Sequence, residues 1–367
     1  APRLSGQVRL FTTGDEGPAQ AFAANLTGDM RPLFPEELRP FFGGQTRLAV
    51  DGRTGGETGL QLSRFEARSA AMELSGTLDL GPAGWPRAFD VSGQIDGEGL
   101  SARFDAARGE AWQADLTVTG LERTGTLQLE EMRLTGRGTM HRRDGGTVNG
   151  TLSAKTAGLA LTDAALQRAV GTAPSGRLTF GYRPQAPLRV DTLVAESAGA
   201  RLTAEGEIGA LADGVPVSGS AQLQAADLSR FAALAGRDLA GRGTAQVDGR
   251  GTLLGGDFDA QVSARTEALH TGAPRLDPLL ATPTDVSLSA ARDTTGTRIR
   301  SLTLSNRDVT ATASGQLTPK EGTLDLSARI REIARSEPRL EGTATLDAGI
   351  AWTDGGPLRA QDFTVTL

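Results

Sequence analysis

The sequence predicts an all-β protein: an elongated, curled antiparallel sheet with a few short helices at repeat junctions. Three observations carry this reading. Apolar residues alternate with polar ones at a period of two in about 22 stretches, the pattern of strands with one buried face. Glycine supplies 48 of 367 residues while aromatic residues make up only 4%, so the apolar mass is Leu, Val and Ala, spread thinly. Short helical segments recur ahead of strands, which gives the alternation a coarse repeat.

In chain order the alternation begins with Leu4, Gly6, Val8 and Leu10 and continues through Phe22, Ala24 and Leu26. The larger inward residues that follow are Leu48 and Val50, then Met72, Leu74, Leu78 and Leu80, then Val91 and Ile95. Further along they are Leu178 and Phe180, Leu202 and Ile208, and Val215, Val217 and Leu223. Val247, Phe258, Val262, Val286 and Leu288 come next. The last third adds Leu317, then Leu324, Leu326 and Ile330, and finally Leu346 and Ile350. The residues between them are mostly Thr, Ser, Arg, Asp, Glu and Gln, so the opposite face reads as solvated.

Four segments break the rhythm. The stretch 30–44 holds a short helix near 33–43, with Pro35 in its first turn where a missing N–H costs nothing. Residues 161–171 offer Thr162 as N-cap and Gly171 as stop. Residues 228–236 follow Asp227 and end at Gly236, and 274–281 forms the weakest helical pattern. Phe41, Ala165, Leu166, Phe231 and Leu234 are the residues expected to seat these helices on the sheet. Strands with a small-x-Gly-x-apolar ending align on Gly76, Gly206 and Gly315 with the same inward parity. These signals divide the chain into repeat segments 1–160, 161–226 and 272–367, with a short helix plus strands at 227–271.

Composition excludes most enzyme chemistry. No cysteine is present, so thiolate nucleophiles, thiolate metal sites and disulfides are ruled out. Only His141 and His270 occur, placed by the sequence in a polar turn and a loop. The net charge of −6 carries no basic stripe, so no nucleic-acid partner is expected. Gly136-x-Gly138, Gly241-x-Gly243 and Gly249-x-Gly251 lead into strand-like sequence rather than a helix, so they read as close backbone approach, not dinucleotide loops. Asp257 and Asp259 flank Phe258 and share one solvated face, too few oxygens for a calcium site. Trp85, Trp112 and Trp352 are scattered. No catalytic, metal or cofactor residue is assigned, and the chain reads as non-enzymatic.

The apolar face is the feature with functional content. A single layer of strands cannot leave such a face in water, since burial at about 25 cal/mol per Å² is its main stabilisation. It can fold into a sandwich, close into a dry solenoid, or curl into a groove filled by something apolar. The stretches LSGTLDL, VSGSAQLQAADLSRFAALAGRDLAGRGTAQVDGRGTL, LTLSNRDVTATASGQL and FPEELRPFFGGQTRLAV resemble the TamB family of the AsmA-like superfamily, inner-membrane subunits of translocation and assembly modules. The resemblance implies a β-taco, or repeating β-groove, whose apolar concave face takes phospholipid acyl chains. It also implies a periplasmic location, with an inner-membrane anchor outside this stretch and a TamA-like outer-membrane β-barrel as partner. The chain opens on APRLSGQVRL and closes on QDFTVTL, both in mid-pattern, so it reads as an interior piece of such a protein. The alternatives are an assembly factor that pairs with client β-strands and a structural solenoid with a dry core.

Overall fold

The computed structural model describes residues 4–12, 20–33, 36–42, 44–55, 59–82, 84–106, 109–123, 125–141, 146–353 and 359–366. The protein is all-β and antiparallel, and its contacts divide it into two units. One unit comprises residues 1–162 and 172–175, the other 163–171 and 176–367.

The first unit contains β1 (Ser5–Thr12), β2 (Gln20–Gly28), β3 (Thr46–Thr54), β4 (Leu60–Arg68), β5 (Met72–Leu80) and β6 (Pro86–Ile95). It continues with β7 (Glu98–Asp105), β8 (Ala111–Arg123), β9 (Leu127–His141), β10 (Thr147–Ala157) and the two-residue β11 (Ala160–Leu161). Each strand from β1 to β10 pairs with the next in sequence, and β11 pairs with the start of β9.

The second unit contains β12 (Ser175–Tyr182), β13 (Leu188–Ser197), β14 (Ala200–Ile208), β15 (Pro216–Ala225), β16 (Ala240–Thr252) and β17 (Phe258–His270). It ends with β18 (Thr284–Asp293), β19 (Gly296–Ser305), β20 (Val309–Leu317), β21 (Glu321–Ile330), β22 (Ala344–Thr353) and β23 (Arg359–Thr366). Sequential pairing runs without a break from β13 to β23.

The helices are shorter than expected and differ in what they cover. Near the start, 3₁₀ turns replace an α-helix at Arg31–Leu33 and Glu36–Phe42, with Pro40 inside the second. Pro40 has no N–H to donate to a preceding carbonyl, which disfavours a continuous α-helix. Pro35 lies outside the described residues. Phe41 and Phe42 from this turn close over Met30, Ala67 and Met72, with Leu48, Leu74 and Ile95 at the margin.

Helix α1 (Ala164–Val170) is capped by Asp163 rather than Thr162, because the Asp163 carboxylate accepts from Ala165 N at 2.8 Å and Leu166 N at 2.9 Å. Asp227 caps the 3₁₀ turn Leu228–Phe231, and Gly236 ends α2 (Ala232–Ala235) in the left-handed conformation. Leu166 and Leu234, expected against the sheet, are instead 45% and 49% exposed. At one or two turns these helices contact mainly each other, and they bury Ala169 and partly Ala165 and Phe231. The weakest sequence pattern gives the best-seated helix: α3 (Asp277–Leu280) buries Leu279 and Leu280. Asn306 fixes it by donating to the Leu279 carbonyl and to Thr284 Oγ1, both at 2.8 Å.

Neighbouring strands approach each other very closely at inward glycines. Gly206 and Gly219 sit opposite one another on β14 and β15, each at φ +151°. A Cβ on Gly206 would lie 2.0 Å from the Ser218 carbonyl oxygen, and one on Gly219 would lie 2.0 Å from that of Glu205. Backbone fills the space a side chain would need, so only glycine fits. Gly76 and Gly315, the other two repeat markers, meet a neighbouring carbonyl oxygen at 2.0 and 2.1 Å in the same way.

Gly219→Ala should therefore destabilise the second unit by at least about 1–3 kcal/mol, the usual scale of enforced backbone strain. Gly176→Ala, whose Cβ would meet only the Val194 carbonyl oxygen at 3.3 Å, should cost distinctly less. Urea unfolding of the two variants makes the comparison, and equal losses would contradict the close-approach account.

Candidate functional site: a half-exposed apolar face

The strand register turns the alternation into rows running across the second unit. One row joins Leu202, Leu223, Ala245, Ala264, Val286, Leu304, Ala311, Ala328 and Leu346. The next joins Ala204, Ala221, Val247, Val262, Leu288, Leu302, Ala313, Leu326 and Ala348. A third runs from Val190 through Gly206, Gly219, Gly249 and Ala260 to Leu324 and Ile350. A fourth carries Ile208, Val217, Gly251, Phe258, Arg292, Thr297 and Leu317. Ile330 lies at the margin opposite Val309 and Ala344, and Leu178 and Phe180 are half-buried on β12.

Val215 is the exception among the expected lining residues. It belongs to the turn before β15 at φ +59°, donating its N–H to the Ala210 carbonyl, so it does not continue the inward row.

In the first unit Val50 and Val91 share a row through Phe65 and Gly76, and Leu78 lies between Leu62 and Phe89. Leu80 ends β5 opposite Leu60. Met72 is covered rather than open, 6% exposed beneath the Phe41–Phe42 turn, and Leu48, Leu74 and Ile95 border the same closed cluster. That part of the face has a local lid of its own.

Elsewhere the face is only partly buried. Ile208, Leu223, Val247 and Phe258 are 37–38% exposed although all lie on the inward rows. The accessible surface totals 22704 Å². Even two separate compact units of half this mass would expose only roughly 17,000 Å² together. A hollow of about 520 Å³ lies within the second unit, its wall formed by Val190, Ala204, Val217, Val247, Phe258 and Ala260 among others. That size falls within the usual range for small-molecule sites.

The tryptophans, which look scattered in sequence, are not all isolated. Trp112 stacks on Phe104 with ring centres 6.3 Å apart, and Phe104 stacks on Phe89 at 5.6 Å. Register brings Trp112 opposite Gly138, and Gly138 opposite Gly150, so the indole lies flat across glycines and donates to the Asn149 carbonyl at 3.1 Å. Trp352 lies over Gly322 on the neighbouring strand in the same manner. The signal was present as glycines on adjacent strands, but it becomes legible only once the pairing is known.

The outward face is charged and internally matched. Arg68 faces Glu73, Arg103 faces Asp90, Arg201 faces Glu196, Arg242 faces Glu267 and Arg265 faces Asp285 across adjacent strands, each forming an ion pair. Exposed pairs of this kind each contribute little, but they keep this face in water and oppose edge-on slippage of register. Asp259 binds Arg300, which reaches over β18 and also donates to Ser289 Oγ at 2.9 Å. Asp257, its expected companion, precedes β17.

His141 and His270 end strands β9 and β17 rather than sitting in loops, and each lies 2.9 Å from a carboxylate oxygen, of Glu110 and Asp277 respectively. Among the described residues no group of three or more His, Asp or Glu side chains is arranged to hold a metal. No described helix is long and apolar enough to cross a membrane. No family model, curated protein or solved structure matches the chain.

Acid should loosen the outward face. The hydrogen bond from Arg300 holds the Asp259 carboxyl below its ordinary value, and the smaller effect of burial opposes it. A carboxyl lowered by folding contributes stability above its unfolded value that is lost as pH falls through the folded one. The urea midpoint should therefore drop as pH falls below about 4, and Asp259→Asn should flatten that drop. An unchanged pH profile in the variant would contradict the role given to this pair.

Proposed function

We propose that the chain is a non-enzymatic lipid-conduit segment of the TamB kind, whose inward face shields phospholipid acyl chains in the periplasm of a Gram-negative cell. The observation that carries this reading is the combination of an apolar face with incomplete burial. Leu, Val and Phe side chains line continuous rows across many strands, yet several remain more than a third exposed around an apolar hollow. A dry solenoid would use the same rows to exclude water from both sides. An exposed apolar surface of this extent in a water-filled compartment calls for an apolar occupant. In this reading the protein bridges the two membranes, anchored in the inner one by a segment outside this stretch. A TamA-like β-barrel is its outer-membrane partner, and no nucleic acid or cofactor takes part.

The test compares two positions on β16. Val247 lies on the inward rows and Gln246 on the outward face. Val247→Asp should sharply reduce cross-linking to a phospholipid carrying a photoreactive acyl chain, because an unpaired charge on the acyl path demands water. Gln246→Asp should cross-link as the parent does. An open face should also accept Val247→Asp with a stability loss within about 1 kcal/mol, whereas a dry core would lose several. Equal cross-linking of the two folded variants would refute the conduit.

A further inference from the structure

The inward rows of the second unit hold one charged side chain among the described residues from β14 to β22. It is Arg292, directly across from Phe258 on β17 and Thr297 on β19. Every other arginine of these strands lies on the outward face or at a turn. Many of those, such as Arg201, Arg242, Arg265 and Arg300, have a carboxylate partner. Arg292 has none: among the described residues no hydrogen bond or ion pair engages its guanidinium, and it is exposed.

Of the four carboxylates that share the wall of the neighbouring hollow with Arg292, Glu207 and Asp257 form no ion pair with it, and the other two are committed elsewhere. Asp259 is held by Arg300, and Asp293 accepts from Thr295 N at 2.7 Å and from the Thr295 hydroxyl, closing the β18–β19 turn. Arg292 also stands beside the apolar hollow. A second hollow of about 590 Å³ at the same strand ends shares Val217, Gly251 and Phe258 with the first and has Arg292 in its wall. A free cation at the end of an apolar surface is complementary to an anionic head on an apolar tail. A guanidinium offers paired N–H groups that match a phosphate in particular.

We infer that Arg292 marks a headgroup station: the phosphate of an amphiphile is held there while its acyl chain lies along Phe258, Val217 and Val247. This rests on the lipid-conduit reading and adds a fixed point to it. A bound lipid would then pause in one orientation, head at β18 on the fourth row and tail over β15 to β17. Passage along the face would pause at this station rather than proceed as featureless sliding.

The test uses the purified protein with dodecyl phosphate, dodecanol and inorganic phosphate, each below its aggregation concentration, and measures binding by calorimetry. The parent should bind dodecyl phosphate about tenfold or more tightly than dodecanol, the scale of one charge-assisted contact. Inorganic phosphate alone should not bind measurably. Arg292→Gln should bring dodecyl phosphate down to the affinity of dodecanol and leave dodecanol itself unchanged. Because Arg292 is exposed and unpartnered, the variant should keep its circular dichroism and unfolding midpoint. Equal binding of dodecyl phosphate by parent and Arg292→Gln would overturn the station while leaving the apolar face as a tail site. Inorganic phosphate binding as tightly as dodecyl phosphate would overturn it in favour of a simple anion site. Failure of both dodecyl probes to bind the parent would overturn the lipid reading together with the station.

Discussion

The strands form one sheet in which each finds its hydrogen-bond partners in its neighbours, and much of its apolar side stays only half-buried. Ordinary β-domains solve this by stacking a second sheet about 10 Å away, so that both inner faces become core. In this chain the solution is local and partial. The Phe41–Phe42 turn covers Met72, α3 buries Leu279 and Leu280, and Trp112 and Trp352 lie flat over glycines. In the second unit Ile208, Leu223, Val247 and Phe258 stay more than a third exposed. The fold is thus held chiefly by continuous pairing and by the smoothness of its inward surface.

Small side chains and glycines make that arrangement workable. Large inward residues on every strand would either collapse the sheet on itself or leave a surface too apolar for water. The third row instead passes through Gly206, Gly219, Gly249, Ala260 and Gly315, where neighbouring backbones approach closely. Larger residues flank it on both sides, Val247 and Leu288 in one row, Ile208 and Phe258 in the other. The outward face does the complementary work: arginine and carboxylate placed opposite one another keep it wet and fix register without adding much stability.

Much of this was legible from residues alone, because a period of two leaves little choice about which side chains share a face. The parity of Val247, Leu288, Leu326 and Ile350 needed no structure. Val215 misled because alternation continues through it, whereas the backbone turns there at positive φ, a conformation a β-branched residue rarely adopts. Thr162 and Asp163 are both good caps, and only the helix start decides between them. The stacking of Trp112 and the isolation of Arg292 depend on pairing between strands up to about forty positions apart in sequence, information that one-dimensional periodicity does not hold. Charge in the sequence told which face was wet, but not that one arginine had crossed to the other side.

The central claim is that the inward face of the second unit is open to small molecules and apolar in character. The chain has no cysteine, so a single introduced thiol reports on one position without background. Val247→Cys and Gln246→Cys, treated with a water-soluble maleimide, test the claim most directly. The account expects both thiols to react at comparable rates in the folded protein, and added long-chain amphiphile to protect Val247→Cys alone. A folded Val247→Cys protein that resists the reagent without any amphiphile, while Gln246→Cys reacts freely, would make the face a closed core and contradict the account.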